Sequence, residues 1–106
     1  TTRARLEAKQ WSYREKILQV QKEIADAYEQ LKADEKVISA REALLNSALE
    51  NGKVAQHRYK AGVGSIVELT DARVAATNAA IGLENAKLTV RGDEIELKRV
   101  TGWFVP

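Results

Sequence analysis

Few of the 106 residues could carry chemistry. The chain has no Cys, and His57 is its only histidine. That count excludes a disulfide, a thiolate nucleophile, a Cys-ligated zinc and any His pair for metal or base catalysis. Two acids, Glu68 and Asp71, stand three apart and so share one face of a helix. Each has a structural explanation. Glu68 completes an S-x-x-E capping box with Ser65, and Asp71 is a first-turn acid that the positive end of a helix favours. Tyr59 carries a hydroxyl, yet its spacing reads as packing against Ile66. Arg14, Lys16, Lys22, Lys32 and Lys36 interleave with Glu15, Glu23, Asp26, Glu29, Asp34 and Glu35. With a net charge of +2, this is the mixed face of a solvated helix and gives no stripe for nucleic acid. Trp11 and Trp103 read either as interface anchors or as residues that the rest of a longer protein covers. No catalytic group, cofactor or metal site is expected.

The elements that hold these residues follow from the punctuation. Pro106 is the only proline, and glycine is absent from the first 51 residues. Good helix formers fill the chain. One cluster interrupts them, Ala61-Gly62-Val63-Gly64-Ser65, where glycine supplies a helix stop and Ser65 a new cap. The reading is all-α: one helix over about 3–60, a tip at 61–65, a second helix over about 66–101 and a tail at 102–106.

Apolar spacing shows how the helices meet. Ile17, Ile24, Leu31, Ile38, Leu45, Gly52 and Tyr59 recur every seven residues, with Val20, Ala27, Asp34, Arg41, Ala48 and Ala55 between them. On the second helix Leu69, Ala76, Leu83, Val90 and Leu97 alternate with Ala72, Ala79, Ala86, Asp93 and Val100. Heptads sustained this long predict a supercoiled seam, and the short turn makes it a long antiparallel α-helical hairpin. Folding about the tip sets Tyr59 near Ile66, Leu49 near Ala76, Leu45 near Ala80 and Leu31 near Glu94. The paired part is then about 55 Å long. Leu6, Trp11, Tyr13, Ile17, Leu18 and Val20 are left on an uncovered overhang. Asp34 and Arg41 break the seam one heptad apart, which suits a device that sets register.

A single seam is thin. At about 25 cal/mol per Å² it barely offsets the entropy of ordering the chain. Val37 and Leu44 lie off the seam, as do Val67, Val74 and Ile81, again seven apart. A second contact line is expected there, so the chain by itself should be marginal or self-associating. No segment reaches the roughly 20 apolar residues of a membrane-spanning helix.

The stretch Arg58-Tyr59-Lys60-Ala61-Gly62-Val63-Gly64-Ser65-Ile66-Val67-Glu68-Leu69-Thr70-Asp71-Ala72 resembles the TolC-like outer-membrane factor family. That family carries an R-Y-x-x-G-x-x-(S/T)-x-x-(D/E)-(L/V)-x-D-A pattern at a periplasmic helical turn. Ile24-Ala25-Asp26-Ala27-Tyr28-Glu29-Gln30-Leu31 is similar to its V-x-x-A-Y-x-x-L segment. Asn85-Ala86-Lys87-Leu88 and Leu97-Lys98-Arg99-Val100-Thr101-Gly102 are similar to its closing segments. The resemblance covers about residues 10–103 and looks most like the second-repeat hairpin.

The resemblance implies a homotrimeric outer-membrane duct for tripartite efflux or type I secretion, with a β-barrel in the Gram-negative outer membrane and an α-barrel in the periplasm. This chain would be one periplasmic hairpin of that α-barrel. It contains no strand segments for the β-barrel, and the absent signal peptide suits a piece of a longer protein. Ala61, Gly62, Val63, Gly64 and Ser65 would dock the periplasmic adaptor protein. Glu68 and Asp71 would face the lumen at a gated constriction, where trimeric rings of acid attract cations. Tyr59 would latch neighbouring hairpins when closed. Gly64 departs from the family's closed-state pattern, where an arginine can supply a second latch. The contrasting expectation is an antiparallel coiled-coil interaction module unrelated to export, a scaffold arm with no special use for its turn.

Overall fold

The structure, a computed structural model, describes residues 1–102. Trp103 and the rest of the tail lie outside the described residues. Two helices make up the fold, α1 (Thr2–Lys60) and α2 (Ile66–Thr101). Residues 61–65 connect them, and no strand occurs among the described residues. The ends of α1 are chemically marked. At its start the Thr1 carbonyl accepts the Arg5 N–H and the Thr1 hydroxyl that of Ala4. At its finish His57, Arg58 and Lys60 lie at the negative pole of the helix.

The chain divides into two compact units. The first combines Thr1–Lys32 with the chain from Gly92 onward. Here Leu31 and Val100 are buried, and Ile17, Val20, Ile24, Ala27, Asp93 and Leu97 are half-buried. Every one of these is a heptad position. The overhang is shorter than the spacing suggests: Ile17 and Val20 are half-buried, and Arg99 lines a cleft together with Val20, Lys16 and Glu23. Leu6, Trp11, Tyr13 and Leu18 are exposed, as is all of residues 1–16.

The second unit, Ala33–Arg91, holds the turn. Its core is Ala48 from α1 and Leu69, Ala79, Leu83, Ala86 and Val90 from α2, with Ile38, Leu45, Gly52, Ala55, Ala72 and Ala76 half-buried around them. Leu49 and Ala76 line one cleft, as folding about the tip requires. Alanine at so many facing positions lets the two helices come close but buries little area per residue. No side chain among those described is fully buried.

Two seam positions behave unlike their neighbours. Arg41 is exposed, and its side chain lies over Gly82, with Nη1 3.4 Å from where a Cβ would stand. The missing side chain at 82 gives the arginine room to cross α2, while Asp34, one heptad earlier, is half-buried beside the same cleft. Spacing predicts that Tyr59 packs on Ile66. Instead both are exposed, 45% and 54%. The reason is the turn itself: Ile66 opens α2, and the first α2 residue to enter the seam is Leu69, 4% exposed.

Candidate functional site

The turn is built from backbone hydrogen bonds that need particular residues. The Gly62 N–H donates to the Tyr59 carbonyl at 3.1 Å, and the Val63 N–H donates to the Arg58 carbonyl at 3.0 Å. This pair of bonds is a Schellman cap, and its signature is a left-handed residue at the end of the helix. Gly62 has φ +79°, a conformation that costs an L side chain roughly 1–2 kcal/mol. The Gly64 N–H also donates to the Arg58 carbonyl, at 3.0 Å. Gly64 is needed for space, not for conformation. A Cβ there would stand 2.9 Å from the Arg58 Cβ and 3.1 Å from Glu68 Oε2.

Ser65 then starts α2. Its Oγ accepts the Glu68 N–H at 3.1 Å, and its carbonyl accepts the Leu69 N–H at 3.2 Å. The capping box is therefore half made. Among the described residues the Ser65 N–H donates no hydrogen bond to the Glu68 carboxylate. That carboxylate turns across the tip instead, with Oε2 3.6 Å from Arg58 Nε. Arg58 Nη2 donates to the Val63 carbonyl at 3.4 Å. Both charged side chains are about half exposed, so the pair contributes at most about 1 kcal/mol. Its geometry follows the heptad: Arg58 and Glu68 occupy the flanking positions that face each other in an antiparallel seam. The ion pairs Lys53–Glu50, Lys87–Glu84 and Arg99–Glu96, by contrast, each lie within one helix.

The residues singled out from the sequence thus fall into two groups. Tyr59, Ala61, Gly62, Val63, Gly64, Ser65 and Glu68 form one continuous tip. Asp71 lies one turn along α2, exposed, and no hydrogen bond or ion pair reaches its side chain among the described residues. Val63 projects from the tip, 66% exposed. Spacing had singled out neither Arg58 nor its link to Glu68. The signal was present as a basic residue and an acidic residue at facing flank positions either side of a Gly-x-Gly turn.

A second feature lies on α2. Val67, Val74, Ile81 and Leu88 are 64%, 53%, 54% and 62% exposed. They recur every seven residues at the position farthest from the seam, where a solvated hairpin would carry charge. Ile95, in the other unit, continues the spacing and is exposed too. The first three stand out from spacing alone; Leu88 adds a fourth heptad to the line.

No group of His, Cys, Asp and Glu side chains among the described residues could hold a metal ion, and no described helix is long and apolar enough to cross a membrane. No curated protein sequence and no solved structure matches this chain. One family model does, that of the outer membrane efflux proteins, and it covers residues 1–103. With nearly its whole length matched, this chain belongs to the outer membrane efflux protein family.

Proposed function

We propose that this chain is one stave of the periplasmic helical barrel of a homotrimeric outer-membrane channel. Its tip meets the periplasmic adaptor protein, and Glu68, Asp71 and Tyr59 border the gated constriction. Members of the family are channels, not enzymes, and they work with periplasmic adaptors. The observation that carries the stave reading is the outward apolar line Val67, Val74, Ile81 and Leu88. Apolar residues repeated along a face that the chain leaves bare require neighbouring helices to cover them. A barrel of side-by-side hairpins supplies those neighbours.

The docking role draws support from the turn. The Schellman cap and the glycine at 64 produce a narrow end with little side-chain bulk, which a groove between two adaptor helices could receive. Val63 is the exposed apolar contact at its apex. Placing the acids at the constriction accords with the exposure of Asp71 and with both acids lying on one flank of α2. Tyr59, exposed and not packed in the seam, keeps its hydroxyl accessible to a neighbouring hairpin.

Val63→Asp tests the docking role without disturbing the turn, because Val63 contributes only backbone bonds to it. In the longer channel protein that carries this segment, the variant should accumulate normally in the outer membrane and fail to export. Normal export would overturn docking through the tip.

A further inference from the structure

We infer that Arg58 determines the charge presented by the flank of the tip that carries Glu68 and Asp71: it offsets Glu68, and Asp71 is left to supply the net negative charge of that flank. The inference rests on the reading of Glu68 and Asp71 as constriction acids and adds a cation to that set.

Three features fix the arginine in place. Its carbonyl accepts the N–H groups of both Val63 and Gly64, so the bonds that close the turn also anchor the Arg58 backbone. Its guanidinium donates to the Val63 carbonyl through Nη2 and stands 3.6 Å from Glu68 Oε2 through Nε. Finally, Gly64 leaves the space in which the pair sits, since a Cβ at 64 would lie 2.9 Å from the Arg58 Cβ and 3.1 Å from the same Glu68 oxygen. Arginine at 58, glycine at 64 and glutamate at 68 are therefore one unit.

The electrostatic consequence is simple. Opposite charges this close act on a passing ion as a dipole, whose field falls faster with distance than that of a single charge. Asp71 follows Glu68 by one turn on the same flank of α2, and no hydrogen bond or ion pair described for it offsets its charge. Two further cations, Lys60 at the end of α1 and Arg73 on α2, fall by the heptad register on the opposite flank, beyond the seam positions. Counting acids alone gives each subunit two negative charges at the constriction, whereas counting Arg58 as well leaves one. A ring repeated by symmetry multiplies that difference, so Arg58 sets how strongly the pore prefers cations.

The test is the reversal potential of the longer channel, reconstituted in planar bilayers under a potassium chloride gradient. Asp71→Asn should lower the potassium-to-chloride permeability ratio. Arg58→Gln should raise it by a comparable factor, and Arg58→Lys, which keeps the charge, should leave it at the wild-type value. If Asp71→Asn lowers the ratio and Arg58→Gln does not raise it, the inference is overturned while the acid reading stands. Should neither variant move the ratio, the constriction reading fails and takes this inference with it. A shift in Arg58→Lys as large as that in Arg58→Gln would trace the effect to a distorted turn and also overturn it.

Discussion

Two lines of apolar residues run along α2, yet only one is covered. On the seam side Leu69, Ala79, Leu83, Ala86 and Val90 are buried against α1. On the far side Val67, Val74, Ile81 and Leu88 keep the same seven-residue interval and are more than half exposed. A free-standing coiled-coil hairpin needs the first line and is harmed by the second. On the stave reading, the difference means that α2 is patterned for two partners, of which this chain supplies one. It also explains the small side chains of the seam: a helix packed on several sides gains stability from many shallow contacts and needs no deep core.

The sharpest way to separate the faces is to truncate one residue on each. Leu69→Ala should cost about 2–4 kcal/mol of unfolding free energy, since Leu69 is the most buried α2 residue of the turn-bearing unit. Ile81→Ala should change it by less than about 0.5 kcal/mol in the unassembled chain. Urea unfolding followed by far-UV circular dichroism measures both. Equal losses would mean that the far face is already packed within one chain.

Glycines give a contrast of sign. Gly64→Ala forces the new methyl against Arg58 and should destabilise by about 1–3 kcal/mol. Gly52 lies mid-helix in the seam, and a Cβ there meets nothing within 4 Å. Gly52→Ala should therefore stabilise by about 0.5–1 kcal/mol through helix propensity. Thermal melts of the two variants should move in opposite directions from the parent. A loss at both positions would show the seam to be as tightly specified as the turn.

The smallest expected effect concerns charge. Arg99 grips Glu96 with Nη2–Oε1 at 2.6 Å and Nε–Oε2 at 3.1 Å. These hydrogen bonds, chiefly, hold the Glu96 carboxyl below its ordinary value of 4.5 against a smaller opposing desolvation, and they raise Arg99. A carboxylate lowered in the folded state adds stability that is fully present above the unfolded value and disappears as pH falls through the folded one. Wild type should exceed Glu96→Gln slightly in melting temperature at neutral pH, and the two should converge below about pH 4.5. Both groups are on the surface, so the gap is small and salt should shrink it further.

The hairpin and its seam were legible in the sequence because period seven over this many turns admits one geometry. Leu31, Ala48, Leu69, Ala79, Leu83, Ala86, Val90 and Val100 are all buried, and each was a heptad position. What periodicity does not report is where a seam begins. It placed Tyr59 inside, although the turn delays the first α2 contact to Leu69. It also leaves Ile17 and Val20 bare, although both are half-buried and Arg99 shares a cleft with Val20. At the tip the glycines and Ser65 announced a turn and a cap. The swing of Glu68 toward Arg58 was not legible, because spacing along one helix does not show which side chain of the other helix stands opposite.

The far face of α2 decides between a self-sufficient hairpin and a stave. This segment contributes no cysteine, so in a channel with any other cysteines replaced a thiol placed at Ile81 reports on that face alone. In the longer channel, the rate at which Ile81→Cys reacts with a water-soluble maleimide should be compared before and after the oligomer is dissociated. The stave account predicts strong protection in the assembled channel and rapid labelling once the subunits separate. Equally fast labelling in both states would contradict it.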